Sequence, residues 1–502
     1  MEENYSWIYL LIFLIIPLAR IVPRLLRRGA YKENISARPD TPRSDAPRGN
    51  FFQESSPDNF QESSKKEQFS TKNWPKEKIV LGLLMTDISK FEEIQKRANL
   101  STGNLDTILQ DLEKRGLMKP VEKSGPFGKS IQLRITEKGK GALMGTKPGK
   151  QIIKQGLFKS KGFKQFNQYK EEAETTFPEF AKRFAKNLFD QINSDDNPNS
   201  TQQAFAEEVG STEIILNASE IDPIKSKLED FDTLHDRVLR ILNSNFVKMT
   251  FPVFNGLFDA STDYFKDDPN SNMREDIVDG HIIAIDLSEP MDRIVDKDED
   301  LEYLDDYKLM NPYILKLARE KISKGGEDVL KEFEEGFKQA RIGQYLDTKL
   351  KDKPTSITEE ELVESYKKYR SVMGTAGRNM ALNRGPLAEI FYTGMAKAAE
   401  SVGCGNEIED SIRDKAAKIP SWPLFYSLKM NDVKSGFEET MKHSESYLND
   451  ARSALEELPD NFSHRKFLEF LFLTVEHYNL FWYKKLQEQN IWSELQQNLP
   501  TK

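Results

Sequence analysis

The chain has 502 residues, 38% hydrophobic and 30% charged, enough for two or three domains with a strongly hydrated surface. A single cysteine, Cys404, excludes an intramolecular disulfide and any site built on two cysteine ligands. The formal charge of -9 is uneven: residues 1–74 carry 11 basic and 9 acidic side chains, residues 75–147 carry 14 and 9, and residues 148–502 carry 47 and 63. The small central segment has the sign that attracts phosphate backbones, and the acidic remainder repels them.

Residues Tyr5 to Val22 read YSWIYLLIFLIIPLARIV, apolar except for Ser6 and Arg20. At ~1.5 Å per residue this run spans about 27 Å, close to the ~30 Å hydrocarbon core of a bilayer. Trp7, Leu11, Phe13 and Ile16 are the expected lipid-facing residues, and Arg20 sits where it can snorkel. Glu2 and Glu3 precede the run and Arg24, Arg27 and Arg28 follow it, which argues against a cleaved signal peptide. The same charges orient residues from Arg20 onward towards the cytoplasm. Residues 1–28 are therefore expected to be a single-pass cell-membrane anchor, with an interfacial helix as the alternative. Residues 29–73 are rich in Ser, Pro, Asn and Gln and poor in aliphatics, the composition of a disordered linker; FQESS occurs twice in them (Phe52–Ser56 and Phe60–Ser64) without making a repeat architecture.

From Ile79 the pattern becomes periodic. Ile79, Val80, Leu83 and Leu84 mark one helix; Phe91, Ile94 and Ala98 mark a second. Ser101 is an N-cap for a third helix carrying Leu105, Ile108, Leu109 and Leu112, which Gly116 stops. Leu117–Val121 and Ile131–Ile135 read as strands joined by KSGPFGK. The segments IQKRANLSTGNLDTILQDLEKRGLM and RITEKGKGAL resemble the helix-turn-helix and the end of the wing in the MarR/PadR-like superfamily of winged-helix DNA-binding domains. That resemblance implies a winged helix-turn-helix at residues 75–147. It further implies that Ser101, Thr102, Asn104, Thr107 and Gln110 on the third helix, with Lys123, Lys129 and Arg134 on the wing, contact double-stranded DNA. The third helix departs from the pattern: no Arg or Lys lies between Ser101 and Glu113, and Asp106 would face the phosphates.

A basic bridge with interleaved phenylalanines runs from Lys147 to Phe166 and suits either a solvated helix start or contact with DNA or anionic lipid. Beyond it, 3.6-residue periodicity predicts helices over Ala173–Ile192, Ile224–Phe246, Glu327–Leu350, Thr358–Met373, Pro386–Val402, Asn431–Leu458 and Ser463–Leu495. Gly280–Leu287, GHIIAIDL, reads as a strand, and Gly403-Cys404-Gly405 as a turn. The run from Phe467, FLEFLFLTVEHYNLFWY, is interrupted by Glu469, Glu476 and His477 and reads as a buried core helix. His443, His464 and His477 have no metal-ligand spacing, the glycines of MGTAGRNMALNRGP follow no strand, and Cys404 has no patterned histidine partner, so no catalytic residue, cofactor or metal is expected.

The expected fold class is thus mainly α: a transmembrane helix, a winged helix-turn-helix of α+β type, and a large α-helical region at residues 148–502. The expected function is that of a membrane-tethered transcriptional regulator and not an enzyme. Its partners would be DNA, membrane lipid, a second copy in a homodimer, and an unknown protein or small-molecule effector. The alternative is a membrane-anchored scaffold whose winged helix binds protein.

Overall fold

The computed structural model describes residues 75–85, 88–125, 128–136, 139, 142, 160–242, 246–267, 271–295, 303–416 and 420–500. Trp7, Leu11, Phe13, Ile16 and Arg20 lie outside the described residues, as do the linker and the basic bridge up to Lys159. The described residues divide into two compact units, 75–142 and 160–500.

In the smaller unit, α1 (Lys76–Met85), α2 (Phe91–Ala98) and α3 (Thr102–Lys114) pack beside the hairpin of β1 (Met118–Gly125) and β2 (Gly128–Ile135). Asn99 turns the chain between α2 and α3 with φ 50°, a left-handed conformation that asparagine tolerates. The Ser101 hydroxyl then accepts from the Asn104 N–H and caps α3. Val80, Leu81, Ile94, Leu105 and Leu112 close the core, and Arg115 ties Glu77 to Asp111 across its edge. The strands are antiparallel, with Met118 opposite Ile135 and Gly125 opposite Gly128.

Among its described residues the regular elements of the larger unit are all helical. Its elements are α4 (Lys161–Ser194), α5 (Pro198–Val209), α6 (Ala218–Leu228), α7 (Phe231–Leu242), a π-helical turn (Phe246–Thr250), α8 (Phe251–Phe265), α9 (Ser271–Val295) and α10 (Leu304–Ile322). A 3₁₀ turn (Ser323–Gly325) leads to α11 (Glu327–Leu350), α12 (Glu359–Ser365), α13 (Lys367–Met380) and α14 (Gly385–Asp414). The chain ends with α15 (Trp422–Met430), α16 (Val433–Glu456), α17 (Arg465–Leu473), α18 (Val475–Gln489) and α19 (Trp492–Gln497). The long helix α4, capped by Ser160, lies against α7, α8 and α17. Helices α9 and α10 pair along their length, and α14 packs on α13, α16 and α18.

Two features set this packing. Helix α8 meets α17 at Gly256, where a methyl group would sit 2.0 Å from Phe467 Cζ, so the buried Phe467 ring occupies the place of a side chain. At the start of α10, Asp306 is 1% exposed between two cations: Arg237 Nε lies 2.6 Å and Lys227 Nζ 2.8 Å from its Oδ2. The Arg237 guanidinium also lies 3.4 Å from the Tyr303 ring centroid.

The expected fold class is corrected. Among the described residues no helix is long and apolar enough to cross a membrane. The described chain is mainly helical, with one two-stranded sheet, and the winged-helix assignment does not stand beside the comparisons given below. Gly280–Leu287 is also not a strand: it is the middle of α9, where Ile282, Ile283, Ile285 and Leu287 are all buried. Gly403, Cys404 and Gly405 are not a turn but lie buried inside α14.

Candidate ligand-binding cleft

Helix α4 presents Phe180, Arg183, Phe184 and Asn187 at i, i+3, i+4 and i+7, so all four share one face. Asp279 and Ile283 of α9 and Leu317 and Lys321 of α10 meet that stripe by the same helical spacing. The result is a small cleft of about 10 Å³, room for one water, with an apolar floor and a charged rim.

The rim is tightly coupled. Arg183 Nη2 lies 2.8 Å from both Asp279 Oδ2 and Glu275 Oε1. Lys321 Nζ lies 3.2 Å from Asp279 Oδ2 and from Asp276 Oδ1. Asp279 is the buried member: its side chain is 5% exposed, against 48% for Glu275 and 33% for Asp276. Burial lifts its carboxyl above the usual carboxylate range, and Lys321 and Arg183 oppose that rise. The outer carboxylates hold the two cations only through partly wet contacts, which are weak.

A second polar row runs along α14. Glu400, Cys404 and Glu407 follow one face, with Tyr366, at the junction of α12 and α13, donating to the Cys404 sulfur at 3.7 Å. Arg370 and Lys397 reach Glu400 at 3.3 and 3.0 Å. His443 lies against Trp422, with centroids 3.9 Å apart, and burial pushes its imidazole down to about 4. Several Asp-x-x-x-Asp spacings also occur, among them Asp292/Asp296 and Asp410/Asp414, with Asp296 outside the described residues. Arg413 bridges the second pair at 2.7 and 3.2 Å. Among the described residues no group of three His, Cys, Asp or Glu is placed to hold a metal ion.

The residues expected to read DNA are engaged locally. Ser101 caps α3, Thr102 Oγ1 accepts from Gln95 at 3.0 Å, and Thr107 donates to the Gly103 carbonyl at 2.9 Å. Gln110 donates to Asp106 at 3.0 Å, and Asn104 is exposed on the first turn. Lys123 and Lys129 fall on β1 and β2 in adjacent register rows, and Arg134 is exposed on β2. α3 therefore spends much of its polar surface on itself and carries no cation before Lys114. None of Arg183, Asp279 and Lys321 was among the sequence candidates. The one available signal was the Phe-x-x-Arg-Phe-x-x-Asn stripe, which resembles any amphipathic face.

No family model matches the chain, and no curated protein matches it. It is similar to the crystal structure of a geranyltranstransferase from Methanosarcina mazei, at 14% identity and a TM-score of 0.38, over 57% of this chain and 99% of that one. It is also similar to a geranylgeranyl pyrophosphate synthetase from the archaeon Geoglobus acetivorans, at 12% identity and a TM-score of 0.35, over 56% of this chain and 99% of that one. These stretches are longer than the whole smaller unit. They correct the expectations of a winged-helix relative, of a DNA-binding regulator or scaffold, and of a protein that is not an enzyme: the similar structures are helical enzymes. The expected DNA, lipid and homodimer partners and the expected single-pass membrane location are corrected with them only to this extent: among the described residues no helix is long and apolar enough to cross a membrane, and the expected anchor at residues 1–28 lies outside those residues. At these scores the likeness by itself assigns no activity to this chain.

Proposed function

We propose that residues 160–500 form a ligand-binding body for a small amphipathic anion, an apolar chain carrying a phosphate-type head, taken up in the cleft between α4, α9 and α10. The observation that carries this reading is the convergence of Arg183 and Lys321 at the edge of an apolar floor made by Phe180, Phe184, Ile283 and Leu317. A guanidinium fork and an ammonium are the groups that bind phosphate oxygens, and aromatic and branched side chains accept a hydrocarbon. The head would take the places of Glu275 and Asp276, which are partly wet, while Asp279 stays between the two cations. The tail enters as Phe180 and Phe184 turn aside, because the cleft as built holds only a water. Geranylgeranyl diphosphate, for which one of the two similar enzymes is named, belongs to this chemical class and is the natural probe.

The test is calorimetric titration of the full chain with geranylgeranyl diphosphate, with inorganic diphosphate and geranylgeraniol as separate arms. Binding of the diphosphate ester should exceed that of either part, and Arg183→Gln and Lys321→Gln should each weaken it by about tenfold, as the loss of one charge-assisted contact does. Absence of binding by the wild type, or binding by both variants as tight as that of the wild type, sinks the reading.

A further inference from the structure

We infer that Glu407 and Glu409 make the C-terminal part of the helical body a pH-operated clamp, in which neutral carboxyls hold α15 and α18 against α14 and their ionisation loosens both.

The geometry is a pair of contacts two residues apart. The Glu407 carboxyl accepts from the backbone N–H of Trp422, the first residue of α15, at 3.0 Å. The Glu409 carboxyl accepts from the Tyr478 hydroxyl of α18 at 2.9 Å, and the same hydroxyl meets Asn406. Helices α15 and α18 thus each have a docking contact to α14 through a carboxyl. Trp422 and Tyr478 are both buried, at 0% and 1% exposure, so these contacts lie inside the packing and not on its rim.

What surrounds the carboxyls decides how they respond to pH. Facing Glu407 are Tyr366 from the junction of α12 and α13, Lys368 from α13, Asp347 from α11, Tyr447 from α16, and Cys404 on its own helix. The α15 side contributes Trp422. Lys368 is the one cation in that set, and it is already paired with Asp347 at 2.7 Å. Facing Glu409 are Tyr478 of α18 with its neighbour Trp482, and Asp410 and Arg413 of α14. Arg413 is likewise held, by Asp410 and Asp414. An ionised Glu409, 5% exposed, would therefore be a buried charge whose nearest cation belongs to another carboxylate, and an ionised Glu407, half-buried, would likewise face a cation already paired; both states are unfavourable, the first strongly so. Burial pushes both carboxyls up to about 8.

The sign follows. Each folded-state value lies above the unfolded carboxyl's ~4.3, so the folded state binds extra protons between those limits. The stabilisation is complete below about pH 4, falls as pH rises, and is gone above about pH 8, where clamp ionisation and opening coincide. This device is independent of the cleft at Arg183 and Lys321.

Hydrogen exchange of the full chain at pH 6 and pH 9, corrected for intrinsic rates, reads it directly. Protection of residues 400–430 and 475–489 should fall at least tenfold at pH 9, with α4 to α10 less affected. The Glu407→Gln/Glu409→Gln double variant, which keeps neutral groups of the same shape, should retain its protection at both values. Unchanged wild-type protection, or an equal loss in the double variant, overturns the inference. If the variant does not fold, the wild-type urea midpoint decides: a fall from pH 6 to pH 9 supports the clamp, and a flat or rising midpoint overturns it.

Discussion

Replacing Asp306 with alanine should destabilise the helical body by about 3–5 kcal/mol, the cost of leaving a buried charge without its partner. The group that suffers most is Arg237, whose side chain is 7% exposed, whose Nε points at the lost carboxylate and whose Nη1 keeps only the half-exposed Asp236. Lys227 suffers less, since it is 42% exposed and can turn to water. The Tyr303 ring over the guanidinium gives partial shelter but no counter-charge. Urea unfolding measures the effect. The informative control is Arg237→Met with Asp306→Leu, which removes both charges and should recover most of the loss, because apolar replacements of a buried pair are often neutral. A single Asp306→Ala change within about 1 kcal/mol of wild type would show that the pair does not close the start of α10.

The contact between α8 and α17 should give the second large effect, and a diagnostic coupling. Phe467→Ala removes a fully buried ring and should cost about 3–5 kcal/mol. Gly256→Ala drives a methyl into that ring and should cost about 1–3 kcal/mol by overpacking. Together they should cost less than their sum by about 1 kcal/mol or more, because the new methyl enters the space that the ring vacates. Additive losses would mean that the ring does not sit over Gly256. The four proteins of this cycle can be compared in one series of urea titrations.

The fold was legible where periodicity is strong and its exposed face polar. The predicted helix Glu327–Leu350 has the same bounds as α11, and the run from Phe467 is a pair of buried helices, α17 and α18. Legibility failed where burial is all-round. GHIIAIDL has no polar face to reveal a period, so an eight-residue apolar run reads equally as strand or as core helix. The glycines around Cys404 suggested a turn because glycine breaks exposed helices. Here Gly405 is needed for clearance, since a methyl there would lie 2.1 Å from Asn479 Oδ1. The cleft was invisible for a different reason. Arg183 stands 96 residues from Asp279, and Lys321 stands 42 from it, so no local spacing announces their convergence. On α3, Thr102, Thr107 and Gln110 make hydrogen bonds within their own unit, contacts that the sequence pattern does not announce.

Cys404 is the sole thiol of the chain and is 0% exposed on α14, with its pKa pushed up by burial. A thiol in that state reacts with alkylating reagents only when the surrounding helices part, since the thiolate is the nucleophile. The molecule therefore carries a built-in clock for its own opening: the rate at which intact protein gains one alkyl group, read by mass, counts excursions of α14 from its neighbours without any label being introduced. The same silence leaves the folded surface blank, so a cysteine placed anywhere on it would be the only fast-reacting handle.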